Sequence, residues 1–165
     1  MAKEIYTDMM QAIAAGDGEK LMKELCTQSY ATPLLASFEK RPRTRRFKWE
    51  LVKWTGKVRI ASQVLTPMST GKSDLIRQVT VHLPSRQRRI EYALNAEARK
   101  WEVASEKEAD VDEYLILISV ITAGTYQKSE WRVLATTRPS TVKEWENEKK
   151  ILEEIQQAEL EEHKL

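Results

Sequence analysis

Apolar and polar positions change their period part-way along the chain. Lys3 to Ala15 carries Ile5, Met9 and Ile13 at helical spacing, and Gly16 stands where a left-handed residue ends a helix. Asp17 is a good N-cap for a second helix on which Leu21, Leu25 and Cys26 share a face. Thr32-Pro33 predicts a cap and first helical position for a third helix bearing Leu34, Leu35 and Phe38. Met9, Met10 and Met22 read as core filler on these helices.

From Phe47 the period becomes two. Phe47, Trp49 and Leu51 alternate with Lys48, Glu50 and Val52, which predicts a strand with one buried face. A turn at Thr55-Gly56 leads to a strand over Val58–Leu65. Asp74–Leu83 and Arg88–Leu94 predict a hairpin turning at Pro84-Ser85, and Trp101 with Val103 a short further strand. Glu106–Glu113 reads as an acidic loop. Tyr114–Ile121 is an almost unbroken apolar run rich in β-branched residues, too short for a membrane span and well suited to a central strand. Its partner is Ser129–Thr137, with Trp131, Val133 and Ala135 on one side and Pro139 stopping the ladder. Phe47, Trp49, Ile116, Ile118, Val120, Trp131 and Val133 are the expected sheet core.

After Pro139, Thr141 and Glu144 form a capping box for a helix that could run to about Glu162, with Trp145, Leu152 and Ile155 as its thin apolar stripe. Helices first, an antiparallel meander next and a helix last predict an α+β fold, with the main domain over 3–138 and an acidic extension over 140–165.

At 41% hydrophobic and 32% charged, the composition is that of a globular protein. The net charge of +2 conceals a dipolar distribution. Glu39–Arg59 holds nine Lys/Arg against two acids, and Glu144–Leu165 holds eight acids against three Lys. That asymmetry suggests an anionic partner for the first stretch. Cys26 is the lone cysteine, so no internal disulfide forms. With only His82 and His163 besides, no ordinary structural zinc site and no cofactor site is expected.

Ser69-Thr-Gly-Lys-Ser73 imitates the end of a phosphate-binding loop. Thr66 stands where the first glycine is needed, and a strand pattern follows where a helix should. A polar turn is the better reading. No nucleophile, base and orienting group can be assembled from the linear sequence, so catalysis is not expected. His82 sits on a strand face with Gln78 and Thr80, and Asp110, Asp112 and Glu113 read as a solvated turn.

The basic stretches carry the main functional signal. Arg41, Arg43, Arg45, Arg46, Lys48 and Lys57 surround the first strand, and Arg86, Arg88 and Arg89 supply a second cluster. Arginine suits planar bidentate contact with phosphate, so these nine residues are the candidate RNA- or phosphate-binding set. Such contacts give affinity without base specificity. Anionic lipid is the rival ligand.

The order Ala14-Ala-Gly-Asp17, Leu21–Leu25, Phe47-Lys-Trp-Glu-Leu51, Arg77-Gln-Val-Thr-Val81, Asp112-Glu-Tyr114 and Ser129-Glu-Trp-Arg-Val133 resembles the Tim-forty-four-like domain. The resemblance is specifically to its mitochondrial-ribosome branch, which contains large-subunit protein L-forty-five and the MBA-one-type fungal inner-membrane ribosome receptor. It implies helices packed in a curved antiparallel sheet, a cone like nuclear transport factor two. It also implies a non-catalytic, peripheral protein on the matrix side of the mitochondrial inner membrane. Its partners would be the large subunit of the mitochondrial ribosome, an inner-membrane insertase and anionic lipid such as cardiolipin, with no small-molecule substrate. The other branch of the family implies an anchor of the protein-import motor. A small-molecule enzyme of the same cone fold is the remote alternative.

Overall fold

The computed structural model describes residues 1–68, 74–139, 143–144, 146–147 and 150–151. Three helical segments precede five strands: α1 (Ala2–Ala15), α2 (Gly18–Lys20), α3 (Gln28–Glu39), β1 (Arg45–Trp54), β2 (Arg59–Pro67), β3 (Leu75–Asn95), β4 (Lys100–Ile121) and β5 (Arg132–Thr137). The fold is α+β, with N-terminal helices packed on an open, five-stranded antiparallel sheet.

The first helices follow the sequence signals. Gly16 adopts φ 74°, and its N–H closes α1 on Ala12 and Ile13. The Asp17 carboxylate accepts from the Lys20 N–H. α2 then widens into a π-turn over Leu21–Leu25, and the Cys26 N–H reaches back to the Leu21 carbonyl at 2.8 Å. Leu21, Leu25 and Cys26 are all buried.

α3 begins five residues before the predicted start, at Gln28 with Thr27 as N-cap, and Pro33 lies inside it. Tertiary contacts outweigh the proline. The Thr27 N–H binds the Val133 carbonyl, the Tyr30 hydroxyl meets Thr136 at 3.1 Å, and Ala31 is fully buried. These contacts hold the first turn of α3 on β5.

The sheet is built on two long strands. β3 and β4 pair along their whole length, from Leu75 opposite Ile121 to Asn95 opposite Lys100. The outer edge of β3 carries β2 along Leu75–His82 and β1 along Ser85–Ala93, end to end. Pro84 therefore does not turn a hairpin as expected: it lies within one continuous strand, at the gap between β1 and β2. Its carbonyl accepts from the Thr55 N–H at 3.1 Å. A strand residue directs N–H and C=O to the same neighbour, so the missing donor faces the gap and costs no ladder bond. Gly56 crosses there, and a Cβ on it would come within 3.1 Å of the Pro84 ring.

Glu106–Glu113 is likewise strand, not loop, and Trp101 and Val103 belong to the same β4. Arginines opposite offset the acidic charge. Arg86 binds Asp110 in bidentate fashion at 2.7 and 3.1 Å, and Arg88 reaches Glu108 at 3.1 Å and Glu106 at 3.3 Å.

Parity within β4 is the other correction. Leu115, Leu117 and Ser119 face the helices and are buried, whereas Ile116, Ile118 and Val120 lie half-buried on the opposite face. The core joins Val79, Val81 and Leu83 of β3 to Leu115, Leu117 and Val133, capped by Tyr6, Met9, Leu21 and Ala31. Trp49 is buried as expected. Phe47 and Trp131 are only half-buried. β5 starts at Arg132 rather than Ser129, and a bulge at Leu134 sets Val133 against Leu117 and Ala135 against Ile116. Met9 is fully buried, and Met10 and Met22 pack against the core edge.

Ser69–Ser73 lies outside the described residues; strand β3 follows it. The capping residue Thr141 and the stripe residues Trp145, Leu152 and Ile155 also lie outside them.

Candidate anion-binding cleft

The chain between α3 and β1 brings a run of arginines against the end of α1. The Arg41 N–H closes on the Phe38 carbonyl and the Arg45 N–H on that of Pro42, while the Leu94 N–H holds the Thr44 carbonyl at 3.0 Å. The loop is thereby tied to the sheet. α1 has no basic residue in its last turn, and Arg41 supplies one from outside by donating to the Ala14 carbonyl at 3.1 Å.

Aromatic rings seat the guanidinium groups. Arg41 lies 4.3 Å from the Phe38 ring centre and 5.5 Å from that of Phe47. Arg89, from β3, lies 4.7 Å from the same Phe47 ring. Arg46 turns to the other face of the sheet and covers Trp101 at 4.2 Å. A cleft of about 470 Å³ opens beside Phe47, lined by Arg41, Arg45, Arg46, Phe38 and the Ala14–Gly16 end of α1. A smaller recess of about 160 Å³, bounded by Arg41, Arg89 and Trp49, adjoins it. Burial, and then the like charge of Arg89, pulls the Arg41 guanidinium below its ordinary pKa. Two cations at one ring favour an anion between them.

The nine sequence candidates separate by what they touch. Among the described residues, Arg41, Arg43, Arg46, Lys57 and Arg89 have no carboxylate partner, whereas Arg45 pairs with Glu91 at 2.8 Å. Lys48 is taken up by Glu50 at 2.6 Å. Arg86 and Arg88 do not form a cluster with Arg89, because one residue of strand parity sends them to the opposite face. There Asp110, Glu106, Glu108 and Glu50 engage them, and the hydrogen bonds the two arginines donate to Asp110 and Glu108 raise both guanidinium pKa values. Lys57 lies apart in the β1–β2 turn. The cleft is therefore lined by Arg41, Arg45 and the base of Arg46, with Arg89 on the adjoining recess and Arg43 in the same loop.

Sequence reasoning missed the aromatic platforms Phe38, Phe47 and Trp101. It also missed the carboxylates that claim Arg86 and Arg88. The period-two run Glu106, Glu108, Asp110, Asp112 against Arg86 and Arg88 was the available signal for that strand pair.

Polar groups elsewhere in the core form a closed network. Trp49 Nε1 donates to Gln87 Oε1 at 2.8 Å, and Gln87 Nε2 donates to Tyr6 Oη at 2.7 Å and Ser85 Oγ at 2.9 Å. The Tyr6 hydroxyl donates to Glu113 Oε2 at 2.5 Å. Burial first, and then Glu113, pushes the Tyr6 pKa up. His82, on the other face, is hydrogen-bonded: it bonds Asp112 and stacks on Tyr114 at 4.8 Å. No helix of the described residues is long and apolar enough to cross a membrane.

No known family model and no curated protein matches the chain. Among solved structures it is similar to the intermembrane space region of the chloroplast protein ARC6. That match has 12% identity over 85% of this chain and 95% of the other, with a TM-score of 0.48. A likeness at that level carries no function.

Proposed function

We propose that the chain binds a polyanion through the Phe47 cleft, and that the polyanion is ribosomal RNA. In this reading the protein is a ribosome receptor, or a large-subunit protein, peripheral on the matrix face of the mitochondrial inner membrane. It holds the ribosome near an insertase so that nascent chains enter the membrane during synthesis. The observation that supports the reading is the meeting of Arg41 and Arg89, neither with a carboxylate partner among the described residues, at the Phe47 ring beside the cleft lined by Arg45 and Arg46. The resemblance to the ribosome branch of the Tim-forty-four-like domain, with its cone-shaped sheet, supplies the choice of polyanion and compartment.

The aromatic rings bear on specificity. Guanidinium groups already lie over Phe47 and Trp101, so neither ring face is simply open for base stacking. Phosphate contact follows, with affinity that depends on salt and little on sequence.

Ribosome co-sedimentation across a salt series tests this, using Arg43→Gln, Arg45→Gln and Arg89→Gln together. These changes spare the Arg41 bond to α1. Each lost phosphate contact should lower the logarithmic salt slope by about 0.7–0.9. Unchanged sedimentation and slope would defeat the ribosome reading. Loss of binding to cardiolipin vesicles alone would transfer the cleft to anionic lipid.

A further inference from the structure

The two long strands are edged differently. The outer edge of β3 is filled by two strands laid end to end, β1 and β2. Among the described residues, the outer edge of β4 is filled along Tyr114–Ile118 by β5 and at Val120 and Ile121 by Ser129 and Lys128. Among the described residues, nothing pairs with that edge along Ser105–Glu113, although the same residues are in unbroken register with β3 on the inner side. The bulge that interrupts β4 falls at Ala104, just outside this stretch. Among the described residues that edge, continuous with the one β5 occupies, has no strand partner for its N–H and C=O groups.

Side chains choose the occupant. On one face of this stretch Glu106, Glu108, Asp110 and Asp112 recur at every second residue, and all remain at least one-third exposed. On the inner side Arg86 and Arg88, also at every second residue, meet the first three. β3 thus displays the complement that this row of carboxylates accepts, and the outer side presents the same row to a further strand. The chain's own continuation fits poorly. Glu144, Glu146 and Glu148 would set carboxylate against carboxylate, and residues 143–144, 146–147 and 150–151 are helical.

We infer that the outer edge of β4 along Ser105–Glu113 takes an extended basic segment of another protein, with Arg or Lys at alternate positions, as an added antiparallel strand. Main-chain bonds provide the affinity and the carboxylates set register and sign. This site is separate from the Phe47 cleft and opposite to it in charge, so it stands whether or not the cleft binds RNA.

The test uses the full chain and an acetylated peptide of about nine residues alternating Arg with Thr, enough to span the edge. Two control peptides accompany it: one with Glu for Arg, and one N-methylated at alternate amides on the pairing side. The basic peptide should slow amide exchange within Ser105–Glu113 and bind about tenfold or more tightly than either control. Three results would each overturn the proposal: equal binding of the N-methylated peptide, protection elsewhere but not at Ser105–Glu113, or full protection of those amides in the free protein.

Discussion

The Tyr6 hydroxyl, on the first helix, bonds the Glu113 carboxylate of the fourth strand at 2.5 Å while accepting from Gln87 at 2.7 Å. Its ring meets Trp49 edge-on, with centres 6.0 Å apart. One fully buried side chain thus joins α1 to three strands. Tyr6→Phe keeps the ring contacts and removes the hydroxyl, leaving Gln87 Nε2 with only Ser85. It should cost about 1–3 kcal/mol, and Tyr6→Ala clearly more. Chemical denaturation of the two variants checks this; a neutral Tyr6→Phe would mean that the network contributes nothing to stability.

Parity in β4 gives a paired prediction. Leu117 is 1% exposed and stands opposite Val79 and Val133, whereas Ile118 points to the other face and is half-buried. Leu117→Ala should cost about 2–5 kcal/mol, and Ile118→Ala well under half of that. Equal losses would show that the second face is also covered.

That pair shows where the sequence stops being legible. Tyr114–Ile121 announced a central strand by its composition, and it is one. A run apolar at every position has no alternation, so the helix-facing parity was invisible until α1 and β5 supplied partners. Gly16 and Asp17 were readable because their signals are local. Pro84 misled for the opposite reason: its harmlessness depends on a gap left by β1 and β2, which lie elsewhere in the chain. At the cleft, the arginine run Arg41–Arg46 was plain. Joining Arg89 to it while sending Arg86 and Arg88 away required the register of β3 against β1.

Alkaline pH should destabilise the fold chiefly through Cys26 and Tyr6, with Tyr30, also raised by burial, adding to them. Burial pushes the Cys26 thiol from 9.0 to about 11, with Arg132 opposing, and Tyr6 is raised above its ordinary 10.0. In both cases the fold favours the protonated form. The stabilisation is complete below the unfolded pKa and is lost as pH rises towards the folded one. Cys26 alone accounts for about 2–3 kcal/mol between pH 9 and 11. Denaturation midpoints should fall from pH 9 upward. In Cys26→Ala the fall should begin only near pH 10, where Tyr6 and Tyr30 take over; an unaltered onset would exclude the thiol.

Arg88 and Arg89 are neighbours in sequence with opposite assignments, and exchanging their fates is the sharpest check on the cleft. Arg88 holds Glu50, Glu106 and Glu108 on the far face, so Arg88→Gln leaves a row of carboxylates facing one another. Its thermal midpoint should drop while polyanion binding and its salt slope stay as in the native protein. Arg89 is exposed, lies over Phe47 and has no carboxylate partner among the described residues, so Arg89→Gln should keep the midpoint and weaken binding. Lys48 holds the Glu50 carboxyl, and Arg86 the Asp110 carboxyl, below their ordinary 4.5 and 3.8, so these pairs stabilise the fold above those values and lose that effect as pH falls. Arg88 is the smallest of the causes acting on Glu50, so the acid limb should stay close to the native one in both Arg88→Gln and Arg89→Gln. If Arg88→Gln instead weakens binding at an unchanged midpoint, the phosphate surface lies on the far face and the Phe47 cleft has been misassigned.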